Sequence, residues 1–120
     1  MLNETFINED WKDINGYEGK YQVSNYGRIK SFPKFIERKT GSYFTKEKFL
    51  KCTLDNYGYS CVNLYSNGTI YHIRVHILVA KAFIEKPKGY SDINHIDGNK
   101  QNNSVDNLEL CNRSHNIQHA

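Results

Sequence analysis

The segment at 91–111 constrains the fold of this chain more than any other. A short segment at 91–94 ends just before His95, a polar and turn-rich stretch follows, and a second short segment at 107–111, Asn-Leu-Glu-Leu-Cys, contains alternating polar and apolar residues. Two short strands joined by a long polar loop account for this pattern. Asn112 is a good N-cap, so a last helix is expected to begin there. The predicted elements are a strand at 91–94, a loop at 95–106 and a strand at 107–111.

The preceding residues predict antiparallel strands followed by a helix. β-branched and aromatic residues recur in runs that are separated by turn sequences such as Asn25-Tyr26-Gly27, which indicates strands joined by tight turns. From Val75 to Phe83 the apolar residues switch to helical spacing. The expected strands lie near 20–24 and 27–32, with a three-stranded meander at 49–54, 59–65 and 69–74.

The composition limits the class of protein. A chain of 120 residues fits one domain, or two small modules sharing a core, and can fold without cross-links. The three cysteines form no CxxC pair, so they predict buried apolar side chains rather than disulfides or a structural zinc site. We expect a cytoplasmic, intracellular protein, because the sequence shows neither a signal-peptide pattern nor an apolar run of membrane-spanning length.

Positive charge is concentrated in one segment. The net charge is only +3, but residues 34–51 contain six basic and two acidic side chains. Such a cluster is typical of a surface that binds phosphate, although a solvated lysine-rich hairpin or loop has the same composition. The basic residues of the segment are Lys34, Arg38, Lys39, Lys46, Lys48 and Lys51.

A spaced set of polar residues points to a nuclease family. His95 is followed by Asn107 after 12 residues and by Asn116 after 9 more. This pattern resembles the HNH homing endonucleases of phages and introns. The sequence Asn-His-x-Asp-Gly-Asn-Lys from Asn94, the helix Val-His-x-Leu-Val-Ala, and Trp-x-x-Ile-x-Gly-Tyr-Glu-Gly from Trp11 are similar to successive parts of such enzymes. The resemblance covers about residues 11–119.

The resemblance implies a fold and a partner. The fold would be α+β, with N-terminal antiparallel strands packed on a C-terminal ββα-metal (HNH) motif. The chain would divide into an arm at 1–10, a β-rich DNA-binding module at 11–65, and the nuclease motif with its preceding helix at 66–120. A monomer or weak dimer would bind double-stranded DNA and nick it.

The resemblance also assigns roles to side chains. His95 would be the general base that activates water, because an imidazole is largely neutral at cellular pH. Asn94 and Asn116 would hold one divalent cation, Mg²⁺ or Mn²⁺, through amide oxygens. Asn107 would clamp the loop and so fix the direction of His95. Neighbouring residues on a regular strand face opposite sides, so a local twist is needed to bring Asn94 and His95 to one site.

One position departs from the family pattern. The first metal ligand is often aspartate, whereas Asn94 carries no formal charge and should bind a cation more weakly. Larger members of the family also continue beyond the last helix, whereas this sequence stops at Ala120. A second interpretation therefore stays open, in which the chain is a DNA-binding module on an HNH scaffold that cuts poorly.

Other polar residues near the motif have separate interpretations. His76 is expected to be structural, by capping the helix or bonding a buried carbonyl, and Asp97 is expected to make a local Asx-type bond. Three further cations complete the predicted DNA-binding set: Arg74, which extends the basic surface of the meander, and Lys100 and Arg113, which lie near the proposed site.

Overall fold

Short antiparallel strands surround one α-helix in the part of the chain that the structure, a computed structural model, describes: residues 8–84 and 92–111. The N-terminal strands are β1 (Trp11–Asp13), β2 (Tyr21–Ser24), β3 (Ile29–Ser31), β4 (Phe35–Arg38), β5 (Gly41–Phe44) and β6 (Lys48–Phe49). Then follow β7 (Thr53–Leu54), β8 (Ser60–Ser66), β9 (Thr69–Arg74), α1 (Val75–Phe83), β10 (Asp92–His95), a 3₁₀ turn (Val105–Asn107) and β11 (Leu108–Cys111).

The strands form four small sheets. β1, β2, β3 and β6 make a four-stranded sheet in that order, the N-terminal sheet, and β7, β8 and β9 make a three-stranded meander. β4 pairs only with β5, and β10 only with β11, within the described residues. Every pair is antiparallel, as expected for strands joined by tight turns.

One hydrophobic core is shared by the N-terminal sheet, the meander, the helix and β11. Its buried side chains include Val23 from β2, Leu64 from β8, Val79 from α1 and Leu108 from β11. The alternation of β8 turns Val62 and Leu64 inward, and the helical spacing of α1 turns one face onto the meander. Burying each such side chain contributes about 1.5–3 kcal/mol. This core joins elements that are far apart in sequence.

Several predicted elements are confirmed. The helix spans Val75–Phe83 as expected, the β10–β11 pair brackets the polar loop, and the turn at 25–27 joins β2 to β3. The meander is present with three antiparallel strands in the expected order. The predicted last helix lies outside the described residues.

Two predictions for the first half of the chain are wrong, and one strand was not predicted. The run at 49–54 is not one strand, because Lys48 and Phe49 pair with β3 whereas Thr53 and Leu54 pair with β8. The bend between them leaves Cys52 exposed, although burial was expected. The basic stretch, in which a hairpin or a loop was one interpretation without strand bounds, contains the β4–β5 hairpin, and β1 was not predicted.

The division into an arm and two modules stays a prediction, and the shared core shows only that the predicted modules pack together. Among the helices of the described residues, none is long and apolar enough to cross a membrane.

Candidate active site

The β10–β11 pair carries Asn94 and His95 at the end of a strand. The register places Asn94 opposite Glu109 and His95 opposite Leu108. Asn94 donates a hydrogen bond from Nδ2 to Oε1 of Glu109 at 2.9 Å. His95 is 8% exposed. Adjacent residues of a regular strand face opposite sides. Asn94 and His95 can therefore serve one site only if the backbone changes direction at the end of β10.

The imidazole of His95 lies in a small polar and aromatic cluster. Its Nε2 is 2.9 Å from Oδ1 of Asn103, a residue of the polar loop. Its ring centroid is 4.9 Å from that of His76, in an edge-to-face arrangement, and 5.9 Å from that of Tyr59. One hydrogen bond and two ring contacts therefore define where this side chain lies.

Asn107 closes the loop that follows His95. Its Nδ2 donates to Oδ1 of Asp97 and to the backbone oxygen of Asn102, both at 2.9 Å. Its Oδ1 accepts from the backbone N–H of Asp97 at 3.0 Å, and its backbone oxygen accepts from Ile96 at 2.8 Å. Three of these four hydrogen bonds join the two ends of the loop, and the fourth, to Asn102, fastens its interior.

Asp97 organises the interior of the same loop. Its carboxylate accepts from the side chain of Asn102 and from the backbone N–H of Asn99, which confirms the expected Asx-type bond. These hydrogen bonds, with that from Asn107, lower the pKa of Asp97. The carboxylate is therefore ionised at neutral pH and serves the loop as an acceptor.

His76 packs against His95 but does not cap the helix. It is 6% exposed, and its Nδ1 is the buried side-chain atom without a hydrogen-bond partner among the described residues. Burial, followed by the nearby charges of His95 and Arg74, lowers the pKa of His76 to about 4. The expected structural role takes the form of ring packing by a neutral imidazole, rather than a bond to a carbonyl.

Two cations from the predicted DNA-binding set meet at Tyr59. The guanidinium of Arg74 lies 4.2 Å from the ring centroid of Tyr59, and Nζ of Lys100 lies 4.9 Å from it. Asp55 holds Arg74 through a 2.7 Å ion pair. Burial acts to raise the pKa of Asp55, but hydrogen bonds from Tyr59, Tyr57 and Arg74 prevail and lower it to about 2. The Tyr59 ring, whose centroid is 5.9 Å from that of His95, is thus flanked by two cations, of which Arg74 is paired with a carboxylate.

The other predicted DNA-binding residues lie on and beside the hairpin and β6. Arg38 and Lys39 form the tip of the β4–β5 hairpin, where the Arg38 guanidinium lies 5.5 Å from the ring of Tyr43. All six basic residues of the 34–51 segment are exposed: Lys34, Arg38, Lys39, Lys46, Lys48 and Lys51. Asn116 and Arg113 lie outside the described residues.

Sequence reasoning missed three members of this cluster. Asp55 and Tyr59 flank a sequence that predicts only a turn, and Asn103 is one of several asparagines in a polar loop. The turn sequence between Asp55 and Tyr59 predicts that these two residues lie close together. It does not predict that the turn faces His95.

Comparison with known proteins places this arrangement in a family. The model of the NUMOD4 motif matches residues 9–65, and that of the HNH endonuclease matches residues 74–118. The DNA endonuclease I-HmuI of Bacillus phage SP01 is 38% identical over 112 residues, which cover 91% of this chain and 56% of that protein. Residues 74–118 of this chain belong to the HNH endonuclease family.

Further relatives of this HNH chain come from other viruses. The uncharacterized HNH endonuclease L245 of Acanthamoeba polyphaga mimivirus is 41% identical over 87 residues, which are 71% of this chain and 26% of that protein. The H-N-H endonuclease F-TflII of Escherichia phage T5 is 34% identical over 91 residues, which are 72% and 47% of the two chains. The chain thus spans between about a quarter and just over half of these relatives.

A solved structure confirms the α+β fold of this HNH chain. The structure described as DNA binding and cleavage by the HNH homing endonuclease I-HmuI superposes with a TM-score of 0.73 at 37% identity. The match covers 92% of this chain and 56% of that chain. The resemblance seen in the sequence motifs is therefore confirmed in three dimensions.

HNH endonucleases generally use a divalent metal ion, and the donor chemistry here is suitable for one. Within residues 8–84 and 92–111, no group of three His, Cys, Asp or Glu side chains is placed to hold a metal. Asn94 bonds Glu109 through its amide nitrogen, which leaves the amide oxygen as the kind of neutral oxygen ligand that hard cations accept. A site built from Asn94 and Asn116 would depend on water and substrate oxygens for its remaining ligands.

Proposed function

We propose that this chain is a metal-dependent DNA endonuclease of homing type that hydrolyses phosphodiester bonds in duplex DNA and nicks one strand. The observation that carries the proposal is the geometry of His95: a histidine at a strand end, backed by aromatic rings and followed by a loop that Asn107 closes. The named relative I-HmuI is described as binding and cleaving DNA, which supports the same activity here.

His95 is the general base in this proposal. It accepts a proton from a water molecule, the resulting hydroxide attacks phosphorus, and the bond to the leaving oxygen breaks. A ring packed at 4.9 and 5.9 Å against two other rings keeps a restricted orientation, and restricted orientation of a base toward its water is a large part of catalysis. Asn107 acts as the clamp that maintains the loop after His95.

The proposed cation is Mg²⁺ or Mn²⁺, held by the amide oxygens of Asn94 and Asn116. When bound, such a cation stabilises the negative charge that develops on the phosphate and the leaving oxygen. The hydrogen bond from Nδ2 of Asn94 to Glu109 determines which atom of the amide is available as a ligand. Glu109 also supplies a carboxylate beside the neutral ligand, which partly offsets the missing charge of an aspartate.

The proposed substrate contacts are electrostatic. Arg74 and Lys100 lie around Tyr59, within one ring contact of His95, and are suited to hold the phosphates that flank the cleaved bond. The exposed basic residues of the 34–51 segment, together with Arg113, extend this charge along the backbone of the duplex. Action as a monomer or weak dimer inside the cell remains part of the proposal.

A second candidate function follows from one specific feature. Asn94 is a neutral ligand, so affinity for the cation in the absence of DNA should be low, and the chain could act mainly as a DNA-binding module that cuts poorly. The two functions share the same DNA surface and differ in whether His95 is needed for any measurable product.

Conversion of supercoiled plasmid DNA tests the proposal. Wild type, His95→Ala and the control His72→Ala are incubated with EDTA, Mg²⁺ or Mn²⁺, and DNA affinity is measured in parallel. His72 is an exposed histidine paired with Asn63 across β8 and β9, so its loss should leave cleavage intact. Metal-dependent open-circle product from wild type and His72→Ala, but not from His95→Ala, is expected.

Linear product in the same experiment would show that the protein cuts both strands rather than one. No conversion by wild type with either metal, alongside retained DNA binding, would overturn the endonuclease proposal in favour of the binding module.

A further inference from the structure

We infer that Asn103 is a positioning residue that sets the tautomer and direction of the His95 imidazole, and that the turn at 25–27 of the N-terminal sheet holds Asn103 in place. The inference rests on the proposed function of His95 as a base. Asn107, which the motif favours for orienting the histidine, bonds Asp97 and Asn102 instead of the ring.

The hydrogen bond between the two side chains determines where the ring proton lies. Oδ1 of Asn103 is a carbonyl oxygen and can only accept, so Nε2 of His95 must be the donor across the 2.9 Å contact. A neutral imidazole carries one ring proton, and a proton on Nε2 leaves the lone pair on Nδ1. The nitrogen able to take a proton from water is therefore Nδ1.

Asn103 is itself held rather than free to turn. It is 7% exposed, although it belongs to a polar loop whose neighbouring residues 99–101 are exposed. Two residues along, the backbone N–H of Val105 donates to the backbone oxygen of Asn25 at 2.8 Å. The loop is thus fastened to the N-terminal sheet close to the side chain that meets His95.

Gly27 makes the close approach of that turn possible. A Cβ on Gly27 would lie 3.0 Å from Cβ of Asn103, 3.1 Å from its backbone oxygen and 3.2 Å from its carbonyl carbon. The φ of Gly27 is +89°, which also disfavours any side chain. The backbone of the turn therefore lies directly against Asn103, with no space for a larger residue between them.

Ser24 makes this turn rigid. Its side chain is fully buried, and its Oγ accepts from the backbone N–H groups of Tyr26 and Arg28 at 3.1 and 3.2 Å. Its backbone oxygen accepts from Gly27 at 2.9 Å. A turn tied down in this way is a firm support, so the N-terminal sheet contributes to the orientation of the base as well as to its own fold.

The first experiment determines which ring nitrogen of His95 carries the proton. Imidazole ¹⁵N and ¹H resonances are correlated by NMR in the full chain at about pH 9, where an ordinary imidazole is neutral. The signals of His95 are assigned by their loss in His95→Gln. Wild type should show the Nε2–H tautomer with a protected N–H proton. Asn103→Leu should lose that protected proton, and Asn103→Asp, which keeps an acceptor, should retain it.

The matched control is Asn102→Leu, which removes the neighbouring amide and its bond to Asp97 while leaving Asn103 in place. It should leave the His95 signals unchanged. Single-turnover cleavage should fall by about 10- to 100-fold in Asn103→Leu, by analogy with the loss of the hydrogen-bond partner that orients a metal-binding histidine. Asn103→Asp should be closer to wild type in this rate, and DNA affinity should be similar in all three variants.

The second experiment tests the support from the turn. Gly27→Ala and Gly16→Ala place the same methyl group at nearly the same φ, +89° and +90°, but a Cβ at Gly16 meets nothing within 4 Å. Backbone strain is therefore matched, and only Gly27→Ala pushes on Asn103. Gly27→Ala should perturb the His95 N–H signal and slow cleavage, whereas Gly16→Ala should do neither.

The outcomes separate this inference from the proposed function. An Nδ1–H tautomer in wild type, or an unchanged protected Nε2–H proton in Asn103→Leu, would overturn the role of Asn103 whatever the activity. Equal effects of the two glycine substitutions on the His95 signal would overturn the role of the turn. The expected signals in a wild type that does not cleave DNA would instead contradict the proposed function.

Discussion

Asn94 and Glu109 are joined across β10 and β11 by a hydrogen bond of 2.9 Å in which the amide nitrogen is the donor. A carboxylate at position 94 could not make this bond and would place two negative charges side by side. The pair therefore links two properties of the chain, the neutral ligand at the proposed cation site and the stability of the strand pair without a cation.

Asn94→Asp should lower the stability of the metal-free protein and increase its affinity for the divalent cation. In EDTA the variant should unfold at a lower temperature than wild type, because like charges directly opposite each other on paired strands repel. With Mg²⁺ or Mn²⁺ it should regain stability and reach half-maximal cleavage at a lower metal concentration, since a charged ligand binds hard cations more strongly. Thermal unfolding with and without metal checks both effects, and equal metal dependence of the two proteins would contradict the proposed ligand.

Asn107→Ala should loosen the loop and slow cleavage. The substitution removes the hydrogen bonds to the backbone N–H of Asp97 and the oxygen of Asn102, and a hydrogen bond of this kind contributes about 0.5–1.5 kcal/mol. Urea unfolding should show the loss of stability, and single-turnover cleavage should fall with little change in DNA affinity. Asp106→Ala, an exposed neighbour in the same 3₁₀ turn, provides the control and should change neither quantity.

Replacing Arg38 and Lys39 by alanine should weaken DNA binding and flatten its salt dependence. Both side chains are exposed at the hairpin tip, and each phosphate that the protein no longer neutralises reduces the slope of log K against log salt by about 0.9. Titrations at several salt concentrations measure the slope. The control is Lys81→Ala, an exposed lysine on α1, and an unchanged slope in the hairpin variant would show that the tip does not bind phosphate.

Asp55 should make stability depend on acidity below about pH 4. Its folded pKa is lowered to about 2, below the ordinary value of 3.8, so its contribution is present above the ordinary value and lost as pH falls toward 2. Asp55→Asn should be less stable than wild type at pH 7 and should lose part of this acid dependence. Unfolding in urea between pH 2 and pH 7 tests the prediction, and parallel curves for the two proteins would contradict it.

His76→Phe should remove a different part of the pH dependence. Its folded pKa is lowered to about 4 from an ordinary 6.5, so the unfolded chain binds a proton first and stability falls as pH decreases through that interval. Phenylalanine keeps a ring against Tyr59 and His95 while removing the unpaired buried nitrogen. Urea unfolding at pH 4.5 and pH 7.5 should show a smaller difference for the variant than for wild type. His72→Ala serves as the control and should show the wild-type difference.

The helix and the two paired strands of the motif could be predicted because their signals are local. Apolar residues at helical spacing specify Val75–Phe83, and two short segments on either side of a long polar, turn-rich loop indicate β10 and β11. The split of 49–54 could not be predicted, because the residues suit a strand and only their partners decide to which sheet each half belongs. The β4–β5 hairpin has too few alternating apolar residues to stand out.

The amino-acid sequence by itself determined the family, the fold class and the positions of His95, Asn94 and Asn107 in the motif, because spacing and residue type carry that information. Only the tertiary structure decided which groups surround His95. Tyr59, His76 and Asn103 reach it from three separate parts of the chain, and the turn at Gly27 supports the last of them from a fourth. Those contacts exist because one hydrophobic core brings the sheets, the helix and the polar loop together. Local sequence patterns do not predict which loops become neighbours when that core packs.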